Sequence, residues 1–180
     1  MDAIRSDLRE DREGTLLRLG VRVRDADSCE PIENAIVDVW HCDALGTYSG
    51  FESASTGGGG PAGGAGGSTR SDDETYLRGA QATNSDGIVE FRTIYPGWYP
   101  GRTTHIHLKV HLDRRTVLTS QLFTNRDIDA KVYAREPYAQ DSGRDTFNDT
   151  DGIYAGSGEL TLSMQGEAVR GVITLDVERG

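Results

Sequence analysis

His105 and His107 stand one residue apart in an alternating run, His105-Ile-His-Leu-Lys-Val-His-Leu112. A strand sends residues i and i+2 to the same face, so the two imidazoles point together while Ile106, Leu108, Val110 and Leu112 line the opposite face. Two imidazoles one pleat apart can share a metal ion; the plainer alternative is a solvated strand face continued by Lys109 and His111. The segment just ahead, Tyr95-Pro-Gly-Trp-Tyr-Pro-Gly-Arg102, delivers two tyrosines and an arginine from Pro-Gly turns, and Tyr48 leaves an earlier turn. A two-His-one-carboxylate Fe(II) site needs an acid, yet no Asp or Glu lies between Glu90 and Asp113. A phenol, with its solution pKa of about 10, ligates as phenolate only to a strongly Lewis-acidic ion, and Fe(III) best suits hard anionic oxygen. Two phenolates and two imidazoles would leave ferric iron one residual positive charge. These residues alone do not separate Tyr95 from Tyr99 as the loop donor. A tyrosine more commonly packs its ring in a core and wets its hydroxyl, and an arginine such as Arg102 more commonly holds a surface carboxylate.

The elements that must position these groups are strands. Leu17, Leu19, Val21 and Val23 alternate with Arg18, Arg22 and Arg24, a half-buried strand. Asn34-Ala-Ile-Val-Asp-Val-Trp-His-Cys42 is a denser, more central one, and Asp43-Ala-Leu-Gly46 turns the chain towards Tyr48. Residues 76–83 and 88–93 flank Asn84-Ser-Asp-Gly87, whose Asp-Gly predicts a hairpin. Residues 116–123 are expected to pair with the histidine strand across Asp113-Arg-Arg115, residues 127–133 to form a short helix, and residues 159–164 and 169–177 to close the fold as a hairpin. About eight strands without a repeat imply an all-β protein, a β-sandwich with long loops, with the metal site expected between the sheets.

At 180 residues the chain fits one domain. Residues 1–13 read as a charged N-terminal extension and 14–180 as a single domain. Residues 57–67 hold eight glycines and cannot build a core; because only about two strands precede them, they read as a long loop rather than a linker. A formal net charge of −10 opposes nucleic-acid backbones and anionic membrane surfaces as partners, which leaves small molecules. No apolar run is long enough to span a bilayer, and the first residues are too charged for a signal peptide.

Taken in order, Trp40, Asp43-Ala-Leu-Gly-Thr-Tyr48, Leu77-Arg-Gly79, Thr83-Asn-Ser-Asp-Gly87, Pro96-Gly-Trp-Tyr-Pro100, Arg102-Thr-Thr-His-Ile-His107 and Thr119-Ser-Gln121 resemble the signature of the intradiol ring-cleavage dioxygenases, the catechol and protocatechuate dioxygenase family. The resemblance runs from about Gly14 to Tyr138. It implies a non-haem Fe(III) cofactor held by Tyr48, Tyr99, His105 and His107, with Tyr99 chosen because it occupies the tyrosine of the Pro-Gly-x-Tyr-Pro loop. It further implies that catechol binds as a dianion, that Tyr99 leaves the metal and takes a substrate proton, that Arg102 stabilises charge developing on the ring, and that Gln121 lies near the reacting carbons. The implied reaction cleaves catechol-type aromatics with O₂ to cis,cis-muconates, in the breakdown of lignin-derived or other plant aromatics.

The chain lacks room for the helical dimerisation segment of the catechol enzymes, and resembles instead the short, exported intradiol-like proteins of soil bacteria and fungi. That likeness implies a secreted mature protein, with a cytoplasmic home the alternative, a monomer or weak oligomer, and a disulfide between Cys29 and Cys42, which otherwise read as two unrelated thiols. The short spacer from Tyr99 to His105 implies an open pocket mouth that tolerates ring substituents. Two rival readings are a non-catalytic transthyretin-like binding sandwich, which shares the Pro31-Ile-Glu-Asn-Ala35 pattern, and an Fe(II) or Mn(II) His-x-His oxygenase with a distant acid.

Overall fold

The computed structural model describes residues 4–50 and 73–179; the glycine-rich stretch 57–67 lies outside the described residues. Among the described residues, eight strands form two four-stranded sheets. In chain order they are β1 (Leu16–Asp25), β2 (Ile36–Trp40), β3 (Arg78–Ala82), β4 (Ile88–Ile94), β5 (His105–Leu112), β6 (Arg115–Phe123), β7 (Thr161–Gln165) and β8 (Ala168–Val177), with an α-helix, α1 (Arg126–Tyr133), after β6. One sheet runs β4-β1-β8-β7 and the other β3-β2-β5-β6. The alternating residues Leu17, Leu19, Val21 and Val23 of β1 meet Val37 and Val39 of β2 and Ile106, Leu108 and Val110 of β5 in one buried core. No helix among the described residues is long and apolar enough to cross a membrane.

Local turn chemistry builds the β5–β6 pair as expected. Asp113 and Arg114 take positive φ values of 47° and 65°, the backbone that a two-residue hairpin turn needs to match strand twist, and His107 falls opposite Gln121 in the antiparallel register. The expected hairpin at Asn84–Gly87 does not form as a strand pair. The turn itself is there, with the Gly87 amide donating to the Asn84 carbonyl at 2.9 Å, but β3 pairs with β2 and β4 with β1, so the turn crosses from one sheet to the other. Gly87 (φ +72°) sits against the β1 backbone, where the Val23 amide donates to its carbonyl at 2.8 Å. That contact ties the arch to the first sheet.

Both open seams of the sandwich are bridged. Residues 4–8 run along the edge strands β3 and β4: the Arg5 amide donates to the Ala80 carbonyl at 3.1 Å, the Leu8 amide to that of Arg92 at 2.9 Å, and Leu8 is fully buried. At the other edge Phe123 of β6 exchanges backbone hydrogen bonds with Gly158 and Leu160, just ahead of β7. Bridging both seams satisfies the edge strands that would otherwise offer unpaired backbone groups.

The expected disulfide is absent: Cys29 is an exposed thiol and Cys42 a buried one. Cys29 sits in the turn after β1, its amide donating to the Asp25 carbonyl at 2.9 Å, while Cys42 follows the end of β2. Cys42 instead directs its Sγ to the Gly97 carbonyl at 3.5 Å.

Candidate metal centre

His105 and His107 do not face the core between the sheets. Their alternate neighbours Ile106, Leu108, Val110 and Leu112 occupy that core, so the histidines stand on the outer face of the β3-β2-β5-β6 sheet, and the expectation of a site between the sheets gives way to one on the outside of a sheet. Loops bury that outer patch. Trp40, Cys42, Tyr48 and Tyr99 form a second apolar cluster there, separate from the main core, and the Trp40 ring stacks on His107 with centroids 4.9 Å apart and planes within 3°.

Two turns bring in the tyrosines. Asp43 shapes the first, its Oδ1 accepting from the amides of Leu45 and Thr47 at 2.9 Å each, and its carbonyl accepts the Gly97 amide of the second at 2.9 Å. The close approach requires glycine at two positions. A Cβ on Gly97 would stand 2.6 Å from the Asp43 carbonyl oxygen, and Gly46 (φ +82°) lies directly against the Trp98 carbonyl.

The result is four donor atoms within reach of one another. The Tyr48 hydroxyl lies 3.3 Å and the Tyr99 hydroxyl 3.2 Å from His105 Nε2, and His107 Nε2 lies 3.2 Å from it as well. His105 Nδ1 is 2.7 Å from the Thr103 carbonyl; a carbonyl only accepts, so Nδ1 carries the proton and Nε2 presents a lone pair. One lone pair thus faces three neighbours, a crowding that a cation among the four donors would resolve. Donors held by one ion at about 2.0–2.1 Å stand about 3 Å apart, the spacing seen here. Tyr95, the other candidate, is elsewhere: it lies in the main core and its hydroxyl donates to Asp129 Oδ1 at 2.6 Å.

Burial sets the protonation states. It drives the His105 imidazole down to about 4 and His107 well below its usual value, with the positive charge of Arg102 adding to both. It drives the Tyr48 and Tyr99 phenols above their usual range, against the pull of Arg102. With no ion all four groups are neutral; an ion that binds here must ionise the phenols itself, which is the property of a hard, highly charged metal.

Arg102 and Gln121 flank this cluster and are joined to each other, Arg102 Nη2 donating to Gln121 Oε1. A cleft of about 310 Å³ opens beside them, lined by Trp40, His107, Gln121, Phe123, Ile153 and Ala155 among others. One residue that the sequence reading passed over completes the arrangement: Asp151, fully buried, accepts from Arg102 Nε at 2.9 Å and from the Thr103 amide at 2.7 Å. It is one of four aspartates in the irregular stretch 136–158, where no periodicity marks it. The acid that a two-His-one-carboxylate site would need is not at hand, since among the described residues no three His, Cys, Asp or Glu gather as a metal group.

Known proteins resemble the chain in sequence and in fold. A dioxygenase family model matches residues 1–146. A chlorocatechol 1,2-dioxygenase from Rhodococcus opacus is 29% identical over 139 residues, covering 67% of this chain and 48% of its own, and a catechol 1,2-dioxygenase from Acinetobacter lwoffii is 28% identical over 51% of this chain and 30% of its own. The chain thus spans about half or less of the length of the curated relatives it matches. Among solved structures, an intradiol ring-cleavage dioxygenase from Tetranychus urticae superposes with a TM-score of 0.88 at 32% identity, covering 99% of this chain and 88% of that one. The dioxygenase domain of a carbohydrate-binding fusion protein from Streptomyces sp. SirexAA-E gives 0.66 at 27% identity, covering 97% of this chain and 88% of that one. A match over most of the sequence, joined to the same sandwich in a named intradiol enzyme, gives the conclusion that the chain belongs to the intradiol ring-cleavage dioxygenase family.

Proposed function

We propose that the protein is a non-haem Fe(III) dioxygenase that opens catechol-type aromatics between their two hydroxylated carbons. One ring carbon–carbon bond breaks, both atoms of O₂ enter the product, and a cis,cis-muconate dicarboxylate results. The observation that carries this reading is the convergence of two phenols and two imidazoles, all buried, on one point. Tyr48, Tyr99, His105 and His107 would hold the ion. Ferric iron, when bound, supplies a Lewis acid that takes both catechol oxygens and draws electron density from the ring.

The remaining roles belong to the chain. Tyr99, carried on a loop rather than a strand with its phenol oxygen 3.2 Å from His105 Nε2, would be the group that takes a substrate hydroxyl proton. The Arg102 guanidinium, only 16% exposed, offers fixed positive charge to the electron-rich ring. Gln121, opposite His107 on the neighbouring strand, anchors that guanidinium and lines the cleft. The cleft walls at Trp40, Phe123 and Ile153 supply apolar surface for a planar ring. Catechol and chlorocatechol, named for the relatives, are the first substrates to try. Action on lignin-derived or other plant aromatics, and export from the cell, rest on the sequence resemblance alone, because the cysteine pair that would have favoured export stays reduced.

Reconstitution with iron in air tests the proposal. The protein should turn red to burgundy through phenolate-to-iron absorption, take up oxygen with catechol, and form muconate, identified by its ultraviolet band. Tyr48→Phe and His107→Ala should each remove colour and activity together. A colourless protein that still cleaves catechol fully, or a yellow semialdehyde product, refutes it.

A further inference from the structure

Asp151 lies beyond the segment that matches the family model, which ends at residue 146. Its carboxylate is fully buried, and four donors use its two oxygens. Oδ2 accepts from Arg102 Nε at 2.9 Å and from the Thr103 amide at 2.7 Å; Oδ1 accepts from the amides of Ile153 and Tyr154 at 2.7 and 3.0 Å. The first pair reaches towards the metal centre and the second shapes the loop that Asp151 begins.

Each bond has a consequence at the reacting groups. Arg102 is gripped at two points of its planar fork, Nε by Asp151 and Nη2 by Gln121, so its plane is fixed while its other N–H groups stay available. Thr103 is held by its amide on Asp151, and its carbonyl in turn receives the His105 Nδ1 proton at 2.7 Å. Beyond Asp151, Ile153 and Ala155 line the cleft with Trp40 and His107, and the Tyr154 ring meets Phe123 edge-on at 4.9 Å.

We propose that Asp151 is a positioning residue for ring opening: its carboxylate sets the aim of the Arg102 guanidinium, so that the charge-stabilising group stays directed at the site. The inference rests on the reading that this is a catechol-opening site. It assigns Asp151 no contact with substrate and no place in the metal shell, because all four of its hydrogen bonds are to protein donors.

The test is Asp151→Asn in wild-type and Arg102→Ala backgrounds, with iron content, the visible band, kcat and KM for catechol, and thermal unfolding of the metal-free protein. A carboxamide keeps one neutral oxygen and puts an NH₂ donor where the other oxygen was, so one pair of donors loses its acceptor and the charge-assisted bond to Arg102 is weakened. In wild type kcat should fall about 100-fold, the scale of a misplaced catalytic group, with KM and iron content little changed. In the Arg102→Ala background the same substitution should cost no more than about twofold, within the limit of additivity for uncoupled sites. Equal losses in both backgrounds, or activity falling only in step with lost iron, overturns the proposal. If Asp151→Asn yields no folded protein, Arg102→Lys serves instead. It keeps the charge without the fork, so kcat must fall as for Asp151→Asn, and a retained kcat overturns the proposal. Thermal unfolding separates the two readings. Wild type that binds iron but opens no catechol sinks the reaction and this role with it, whatever the coupling. An active wild type whose Asp151 and Arg102 variants shift the metal-free midpoint independently sinks Asp151 alone.

Discussion

Replacing Gly97 with alanine should separate the two tyrosines without touching any donor. Gly97 lies where the Tyr99 loop rests on the Tyr48 turn: its amide donates to the Asp43 carbonyl at 2.9 Å and its carbonyl takes the Cys42 thiol at 3.5 Å. A Cβ there would stand 2.6 Å from the Asp43 oxygen and from the Ala44 carbonyl carbon, and closer still to the Ala44 oxygen. Real Cβ contacts essentially never fall below 3.0 Å, so the turns must part by at least 0.4 Å (3.0 less 2.6). The obstacles are backbone atoms, so no side-chain rotation relieves them. Overpacking of this kind costs about 1–3 kcal/mol. Where the strain is relieved by moving Tyr99 away from His105, it appears as a roughly 5- to 150-fold weaker affinity for iron. The assay is iron titration followed at the phenolate-to-iron band, beside thermal unfolding of the metal-free protein. Gly166→Ala is the control: it lies in the β7–β8 turn at φ +63° with open space around it, and should lose a little stability and no iron affinity. A Gly97→Ala protein with wild-type iron affinity and an unshifted band refutes the idea that this contact sets the tyrosine pair.

Asp151 also makes a prediction in pH. Burial opposes its charge, but the amides of Thr103 and Ile153 and the Arg102 guanidinium outweigh burial and hold the carboxyl below its usual range. A lowered folded pKa gives stability that is complete above the unfolded value of about 4 and is lost as pH falls through the folded one. Wild type should therefore exceed Asp151→Asn by roughly 3 kcal/mol near neutrality, the scale of a broken buried pair, and the gap in urea unfolding should narrow below pH of about 4; a gap that does not change with pH refutes this. For the cysteines, intact mass should be the same before and after reduction. Cys29 should label at once and Cys42 only on unfolding, since burial, then the nearby Asp43 charge, pushes its thiol pKa up; a mass gain on reduction refutes the free thiols.

What the sequence made legible was local. Period two along residues 105–112 separates the histidines from the apolar face, and the structure keeps that separation. The turn at Asp113 and Arg114 joins strands that do pair with each other. The turn at Asn84–Gly87 carries an equally strong local signal. It fixes only that the chain reverses; which sheet each flanking strand joins is decided by β2, about forty residues from β3, and by β1, about seventy residues from β4. Non-local placement also hid the run of residues 4–8 along the seam and the two sides of the cysteine pair. Asp151 was illegible for the same reason: an aspartate in an irregular loop takes its meaning from Arg102, forty-nine positions earlier.

The position of the donors on the outside of a sheet bears on how the site selects its metal. An outer strand face is ordinarily wet, and wet histidines bind many divalent ions. Here Trp40 covers His107, and the turns at residues 43–48 and 96–99 close over His105, so that all four donors are buried. Burial raises the phenols and lowers the imidazoles, which leaves the set neutral until an ion arrives. A weakly polarising cation gains two neutral nitrogens and little else; one able to ionise both phenols gains two anionic oxygens in a medium of low dielectric, where their attraction is greatest. On the proposed reading, the loops that close this face do more than hold tyrosines in place: by burying the four donors they would make a His-x-His strand face prefer a cation able to ionise both phenols.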